Sequence, residues 1–313
     1  MVTRDAVRGA FLLSVLALGV LATLEVAGAA ATGRPNVVFI YTDDHEFSEV
    51  GCYGGQVATP GMDRLAAEGV RFTRFYPSAS ICTPSRYTAL TGRYVSRGAA
   101  MQERFPSNAP PLILWNASLL PDEFTVARAL EANGYATGMV GKWHNGLPPL
   151  EKVAPDADPR DPATAATIAE NYRRICDFIR ERAGFSYVEC IYGENFEWLP
   201  IPEALQFHNQ EWLTQGAVAF IEKNREHPFF LYLATTVPHA PSALLSLKAD
   251  PRATPAGWLD EPPRGQPARE DVLRRAEAAG FLKDDSAKGT GAGMAWLDDG
   301  VRAVLEKLDA LGL

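Results

Sequence analysis

The 313-residue sequence has no excess of basic residues, since its formal net charge is −8. This acidic balance argues against nucleic acid as the main partner, because phosphate backbones attract faces rich in lysine and arginine. The sequence also has no internal repeats. With 47% hydrophobic and 22% charged residues, it has the composition of a globular protein with a sizeable core.

The N-terminus lacks a cysteine for lipid attachment and an apolar run long enough to span a membrane. Arg4 and Arg8 precede an apolar run over 10–24, and small residues follow at 27–31. This order predicts a secretory signal peptide over 1–31. The alternative is an uncleaved anchor, but a spanning helix needs about 20 apolar residues. The mature protein is therefore expected to be periplasmic or secreted, without stable membrane insertion.

Cysteine is scarce, with residues only at Cys52, Cys82, Cys176 and Cys190. Export permits disulfides, and four cysteines allow two bridges. Cys176 with Cys190 is the simplest pair to imagine, but the pairing stays open. If Cys82 takes part in chemistry and not in a disulfide, then either Cys52 has no disulfide partner or all three other cysteines are free.

Continuous apolar runs at 36–42 and 228–234 predict buried strands of a parallel sheet. Further strands are predicted at 70–75, 135–140 and 187–192, and helices at 59–69, 84–91, 120–133, 165–182, 209–224 and 293–311. Residues 241–290 are predicted to be a long loop with one weak helix. The alternation predicts an α/β fold, with a mostly parallel central sheet and helices on both faces.

Polar residues end three of these strands, at Asp43 with Asp44, at Lys142 with His144, and at His239. Sites in α/β folds form outside the carboxyl ends of the strands, so these residues are expected to converge. Adjacent carboxylates suit a hard cation such as calcium. The alternative is a solvated acidic turn.

Lys142 and His144 would face one side of an extended chain and suit an anion, although an ordinary surface loop would also accommodate them. His239 lies between two prolines and could simply pack at a turn. Arg86 follows Cys82 by one helical turn, and its alternative is a surface salt bridge. Cys82 itself is predicted near a helix N-terminus, where the dipole can activate a thiol and backbone N–H groups bind tetrahedral anions.

The stretch 82–86 reads Cys-Thr-Pro-Ser-Arg and resembles the C-x-P-S-R signature of the type I sulfatases, in the alkaline-phosphatase-like superfamily. The stretch 134–144, GYATGMVGKWH, is similar to their second signature. Residues 36–44 resemble the family's opening strand with its pair of metal-binding aspartates. Residues 238–241 resemble the stretch that contains the family's later histidine. By this resemblance, 32–313 form the N-terminal part of a sulfatase catalytic domain.

The resemblance implies that a formylglycine-generating enzyme reads the unfolded chain and oxidises Cys82 to formylglycine, whose hydrate attacks the sulfur of a sulfate ester. It further implies that Asp43, Asp44 and residue 82 hold calcium, and that Arg86 supports the nucleophile. Lys142 would bind sulfate, and His144 would act as a base. His239 would bind sulfate and protonate the leaving oxygen.

The sequence departs from the family pattern after residue 313. In the family another strand follows with an Asp-Asn or Asp-His pair that completes the calcium shell, then a lysine and a smaller C-terminal domain. The chain therefore resembles a truncated sulfatase, for which weak calcium binding and little turnover are expected. The alternatives are a phosphoester hydrolase of the same superfamily and an inactive fragment that binds sulfated glycans.

Overall fold

Four parallel strands form the central sheet. They are β1 (Val37–Asp43), β2 (Ala136–Lys142), β3 (Tyr187–Tyr192) and β4 (Phe229–Pro238), and they lie in the order β1-β4-β2-β3. The computed structural model describes residues 33–105, 110–281 and 290–313, so the predicted signal peptide at 1–31 lies outside them. Residues 36–313 form one compact unit. The predicted α/β fold with a parallel sheet is confirmed.

Strand β4 is the centre of the sheet, and all ten of its residues are buried. It pairs with β1 on one side and with β2 on the other. Within the described residues β1 has no second neighbour, and Val37 and Phe39 are 37% and 36% exposed. The sheet is therefore completely covered at its centre and open along β1.

The helices are α1 (Pro60–Glu68), α2 (Cys82–Thr91), α3 (Ala99–Arg104), α4 (Val126–Glu131), α5 (Pro162–Ala183), α6 (Gln210–Lys223), α7 (Ala243–Lys248), α8 (Arg269–Ala278) and α9 (Thr290–Ala310). A short antiparallel hairpin joins β5 (Ala253–Thr254) to β6 (Gly257–Trp258). Helices α6 and α9 pack on each other and on β4. Among the described helices, none is both long and apolar enough to cross a membrane.

Local sequence signals set several helix ends. Asp161 accepts hydrogen bonds from the backbone N–H groups of Ala163 and Thr164, which caps α5, and Gly184 ends that helix in the left-handed region at φ 78°. Glycine also ends α2, where Gly92 has φ 68°. These two helices begin and end within a few residues of the sequence-based prediction.

Three predictions about local structure are wrong. Residues 70–75 form no strand, and Val70 and Phe72 are exposed, because no neighbouring strand pairs with them. The helix predicted from 120 begins only at Val126, where Thr125 caps it by accepting from the Arg128 N–H. The predicted loop at 241–290 contains α7, the β5–β6 hairpin and α8.

All four cysteines are free thiols, so the suggested Cys176–Cys190 bridge is absent. Both of these thiols are buried, and burial raises the pKa of Cys176 to about 12. In the last helix, Met294, Leu297 and Val301 are buried as the apolar spacing predicts.

Candidate active site

The carboxyl ends of β1, β2 and β4 lie side by side. Asp43 at the end of β1 is in register with Pro238 at the end of β4, one residue before His239. Strand β2 ends at Lys142 and pairs with β4 as well. The predicted convergence of the polar strand ends is therefore found.

Asp43 and Lys142 form a buried ion pair at the centre of this edge. Lys142 Nζ donates to Asp43 Oδ2 at 2.6 Å and to Asn195 Oδ1 at 2.6 Å. Burial by itself would raise the pKa of Asp43, but the charges of Arg86 and Lys142 outweigh it and hold the pKa far below its usual value. Asp43 is therefore an anion held between two cations.

Arg86 lies in the second turn of α2 and is 1% exposed. Its Nη1 donates to the Lys142 carbonyl oxygen at 3.0 Å, and its Nη2 lies 3.6 Å from Asp43 Oδ1. The guanidinium carbon lies 5.3 Å from the centre of the Tyr41 ring. Within the described residues Nη2 faces the Asp43 carboxylate as an ion pair, whereas Nε has no hydrogen-bond partner and is the donor that remains for an anion.

Cys82 is the first residue of α2 and is partly buried. It lines a cavity of about 990 Å³ together with Asp43, Asp44 and Arg86. Burial raises the pKa of the Cys82 thiol, and the nearby Lys142 charge offsets this only in part. Burial therefore acts against the activation of this thiol that a helix N-terminus could supply.

Asp44 and His239 face each other on the exposed side of the site. Asp44 has a left-handed backbone with φ 56°, a conformation that aspartate tolerates. His239 Nε2 lies 3.9 Å from Asp44 Oδ2. Because a carbonyl oxygen only accepts, His239 Nδ1 carries the proton that it donates to the Ala240 oxygen at 2.7 Å.

His144 is completely buried, and its left-handed backbone at φ 57° breaks the extended alternation from which it was predicted to lie beside Lys142. Its Nε2 lies 2.8 Å from Glu194 Oε2, although the two atoms are not aligned as a hydrogen bond. Trp198 packs edge-on against the ring at 5.6 Å. Burial lowers the pKa of His144 more than Glu194 raises it.

Sequence reasoning missed three residues at the site, namely Glu194, Asn195 and His208. Glu194 and Asn195 follow β3 just as the predicted site residues follow β1 and β2, so the same rule about strand ends could have found them. His208 carries no such signal, because it precedes a helix and reaches the site only through the packing of the fold.

The described residues do not by themselves form a calcium site. Calcium takes about 6–8 oxygen ligands, whereas no group of three acidic, histidine or cysteine side chains that could hold a metal occurs among the described residues. Both oxygens of Asp43 already face cations, at Lys142 and Arg86. Asp43 and Asp44 can therefore supply only part of a coordination shell.

Comparison with known proteins gives the family. The Sulfatase family matches residues 35–313. The chain is 34% identical to arylsulfatase A of Bos taurus over 246 residues, covering 72% of this chain and 45% of the relative. It is 32% identical to the N-acetylgalactosamine-6-O-sulfatase of Bacteroides thetaiotaomicron over 266 residues, covering 66% of this chain and 49% of the relative.

Among solved structures, the fold is similar to the phosphonate monoester hydrolase of Agrobacterium radiobacter, with TM-score 0.52 and 17% identity. That match covers 89% of this chain and 60% of the other. The chain thus spans about half the length, or less, of the curated relatives it matches. The structural likeness supports the α/β fold alone, whereas the match over 35–313 identifies the chain as a member of the sulfatase family.

Proposed function

We propose that this protein hydrolyses sulfate monoesters of aryl or carbohydrate alcohols, with residue 82 as the site of the nucleophile. The observation that supports this most is the composition of one cavity. Cys82 at the start of α2 shares it with an ionised Asp43 and with the buried Arg86 cation. A helix N-terminus and buried cations favour a tetrahedral anion in that position.

Conversion of Cys82 to formylglycine is part of the proposal. Burial raises the pKa of the Cys82 thiol, and a thiol with a raised pKa is a weak nucleophile at neutral pH. An oxygen nucleophile at residue 82 would therefore be more reactive than the thiol. Formylglycine supplies that oxygen as its hydrated aldehyde. The partner would be a formylglycine-generating enzyme that acts on the unfolded chain, because Thr83 to Arg86 are buried once α2 has formed.

The two buried cations would bind the sulfate group. Lys142 Nζ has three N–H donors and uses two, on Asp43 and Asn195, which leaves one for a sulfate oxygen. Arg86 retains Nε. The Asp43 carboxylate holds both cations in place, so the sulfate would meet a charge arrangement that needs no rearrangement.

The two histidines would move protons. Burial lowers the pKa of His144, which keeps its ring neutral at pH 7, as a base requires. His239 lies on the exposed side and is proposed as the acid through a protonated Nε2, since Nδ1–H is bonded to the Ala240 oxygen. Calcium is the proposed metal, and Asp43 and Asp44 are the ligands that the described residues would contribute.

The test combines mass spectrometry with turnover. The chain is produced with and without a formylglycine-generating enzyme, and the mass of the peptide that contains residue 82 is measured. We expect an aldehyde only with that enzyme. Turnover should be low, because the described residues offer calcium only a partial shell, and it should favour an aryl sulfate over the matching aryl phosphate. Cys82→Ala should abolish both signals, whereas Cys176→Ala, a buried cysteine in α5, should keep the aldehyde.

Each other outcome has a definite meaning. Preference for the aryl phosphate would favour a phosphoester hydrolase. An intact thiol despite co-expression would contradict the formylglycine proposal. An aldehyde with sulfate binding but no hydrolysis would favour a non-catalytic binder of sulfated compounds.

The acid role of His239 has its own test. His239→Gln should slow sulfate esters of poor leaving groups more than those of good ones, because only a poor leaving group needs a proton. Equal losses on both classes would count against that role.

A further inference from the structure

His208 is a buried histidine outside the predicted set of site residues. It precedes α6 by two residues and is 1% exposed. Its Nδ1 lies 2.8 Å from Thr236 Oγ1. Its Nε2 lies 2.8 Å from the His239 carbonyl oxygen and 2.9 Å from that of Pro241. One imidazole thus contacts the end of β4 and both ends of the turn that carries His239.

The partners determine which ring nitrogen carries the proton. Carbonyl oxygens only accept, so Nε2–H is the donor and is shared between the carbonyls of His239 and Pro241. In the neutral ring Nδ1 then accepts from the Thr236 hydroxyl. Burial lowers the pKa of His208 to about 4, so this neutral ring is the form present at neutral pH.

The consequence is a fixed turn. Two carbonyls two residues apart point at the same N–H, which restrains the backbone on both sides of Ala240. The His239 ring is bonded to the carbonyl of that same Ala240, at 2.7 Å, and its other nitrogen faces Asp44. The orientation of the His239 ring therefore depends on a backbone that His208 holds.

We propose that His208 is a positioning residue for His239, which it orients by holding the 239–241 turn through its Nε2–H. The importance of this orientation for turnover rests on the proposed function, whereas the positioning itself does not. The competing explanation is packing alone, since His208 also contacts the Phe196 ring edge-on at 5.3 Å. The two explanations differ in whether the hydrogen-bond donor or only the volume matters.

The experiment compares His208→Gln, which keeps an N–H donor, with His208→Leu, which keeps a similar side-chain volume but has no donor. His227→Gln is the control, because His227 is exposed and lies before β4, at the other end of the strand from the site. Histidine is labelled with ¹⁵N in each folded chain, and the ring nitrogens are observed at one neutral pH. The His239 signals are assigned by their loss in His239→Gln.

In the unsubstituted chain we expect His239 to show one ring form, protonated at Nδ1. His208→Leu should broaden or average these signals, while His208→Gln and His227→Gln should preserve them. In preparations that hydrolyse aryl sulfates, His208→Leu should lower kcat/KM about 10- to 100-fold more for poor than for good leaving groups, since small misplacements of a catalytic group have effects of this size.

Unchanged His239 signals in folded His208→Leu would overturn the proposal, and equal disturbance by Gln and Leu would favour packing alone. If His208→Leu does not fold, Thr236→Val provides a second test. It removes the hydroxyl donor to Nδ1 that orients the ring and directs Nε2–H at the turn, so it should disturb the His239 signals, and Thr236→Ser should restore them. The ring spectrum needs no turnover. An inactive chain with ordered His239 signals would therefore count against the proposed function and still support the role of His208.

Discussion

The inner and outer sides of the candidate site differ in how firmly their groups are held. On the inner side, Lys142 at the end of β2 and Asp43 at the end of β1 are each 3% exposed and make a short, direct contact. On the outer side, along β1, Asp44 is 40% exposed and lies 3.9 Å from His239. Burial thus fixes the charges that would bind an anion, whereas the exposed Asp44 carboxylate is less confined.

The two sides also differ in packing. Strand β4 is buried throughout, while β1 borders the cavity of about 990 Å³ with residues 39–45. Phe75 and Tyr76, across that cavity, are 77% and 79% exposed. The fold therefore places a buried, charged half of the candidate site at the centre of the sheet and a wide, partly apolar opening at its edge. The following comparisons test this difference.

The largest expected effect concerns the inner ion pair. Lys142→Met should destabilise the protein by about 3–5 kcal/mol, because it leaves the buried Asp43 charge with only the more distant Arg86. Lys307→Met is the matched control, since Lys307 forms only an exposed pair with Glu222 at 3.8 Å. Urea unfolding of both variants measures the difference. Similar losses in the two would contradict a firmly held inner side.

The second comparison uses pH and sets His208 on the inner side against His45 on the cavity side. Burial lowers both pKa values from 6.5 to about 4. Between these values the unfolded chain binds more protons than the folded one, so stability is complete above pH 6.5 and falls toward pH 4. His208 should account for about 3 kcal/mol of that loss, and the only partly buried His45 for less.

Urea unfolding between pH 4 and pH 7 measures this slope. His208→Gln should flatten it, and His45→Gln should do so less if the open cavity lets water reach the protonated ring. His227→Gln, at an exposed histidine, should leave it unchanged. A slope that no histidine substitution alters would show that other groups cause the acid sensitivity.

The third comparison applies one substitution to neighbouring strands. Phe230→Ala in β4 should cost about 3–5 kcal/mol, as is typical for a buried phenylalanine. Phe39→Ala in β1 should cost roughly 1–2 kcal/mol less, because the 36% exposed Phe39 side chain leaves less apolar area to lose. The Phe39 ring still packs against Tyr232 at 5.5 Å. Thermal or urea unfolding compares them, and equal costs would mean that β1 is as well covered as β4.

Much of this arrangement could be predicted from the sequence. Apolar runs locate β1, β2 and β4, and a parallel sheet then requires their polar ends to lie along one edge, which places Asp43 near Lys142. Glycines and helix caps mark the ends of α2 and α5. These predictions succeed because the local sequence signals and the pairing of the strands specify the same structure.

The remaining features depend on packing between distant segments. The sequence does not reveal that His208 contacts the 239–241 turn, because His208 follows no strand and no pattern marks it. Nor does it show that burial opposes the helix dipole at Cys82. Alternation at 70–75 predicted a strand, but a strand needs a partner, and the described residues offer none.

The smallest expected effect is that of calcium. Calcium would have to share Asp43 with Lys142 Nζ, which lies 2.6 Å from Oδ2, so the described residues offer it only a partial shell. Adding about 1 mM calcium should therefore raise the free energy of unfolding by less than about 0.5 kcal/mol, because a ligand stabilises only in proportion to RT ln(1 + [L]/Kd). Calorimetric unfolding with calcium and with a chelator measures this shift. Asp44→Asn should leave it equally small, whereas a gain of about 2.7 kcal/mol, as from a ligand at 100 times its Kd, would show that the outer side already holds a calcium site.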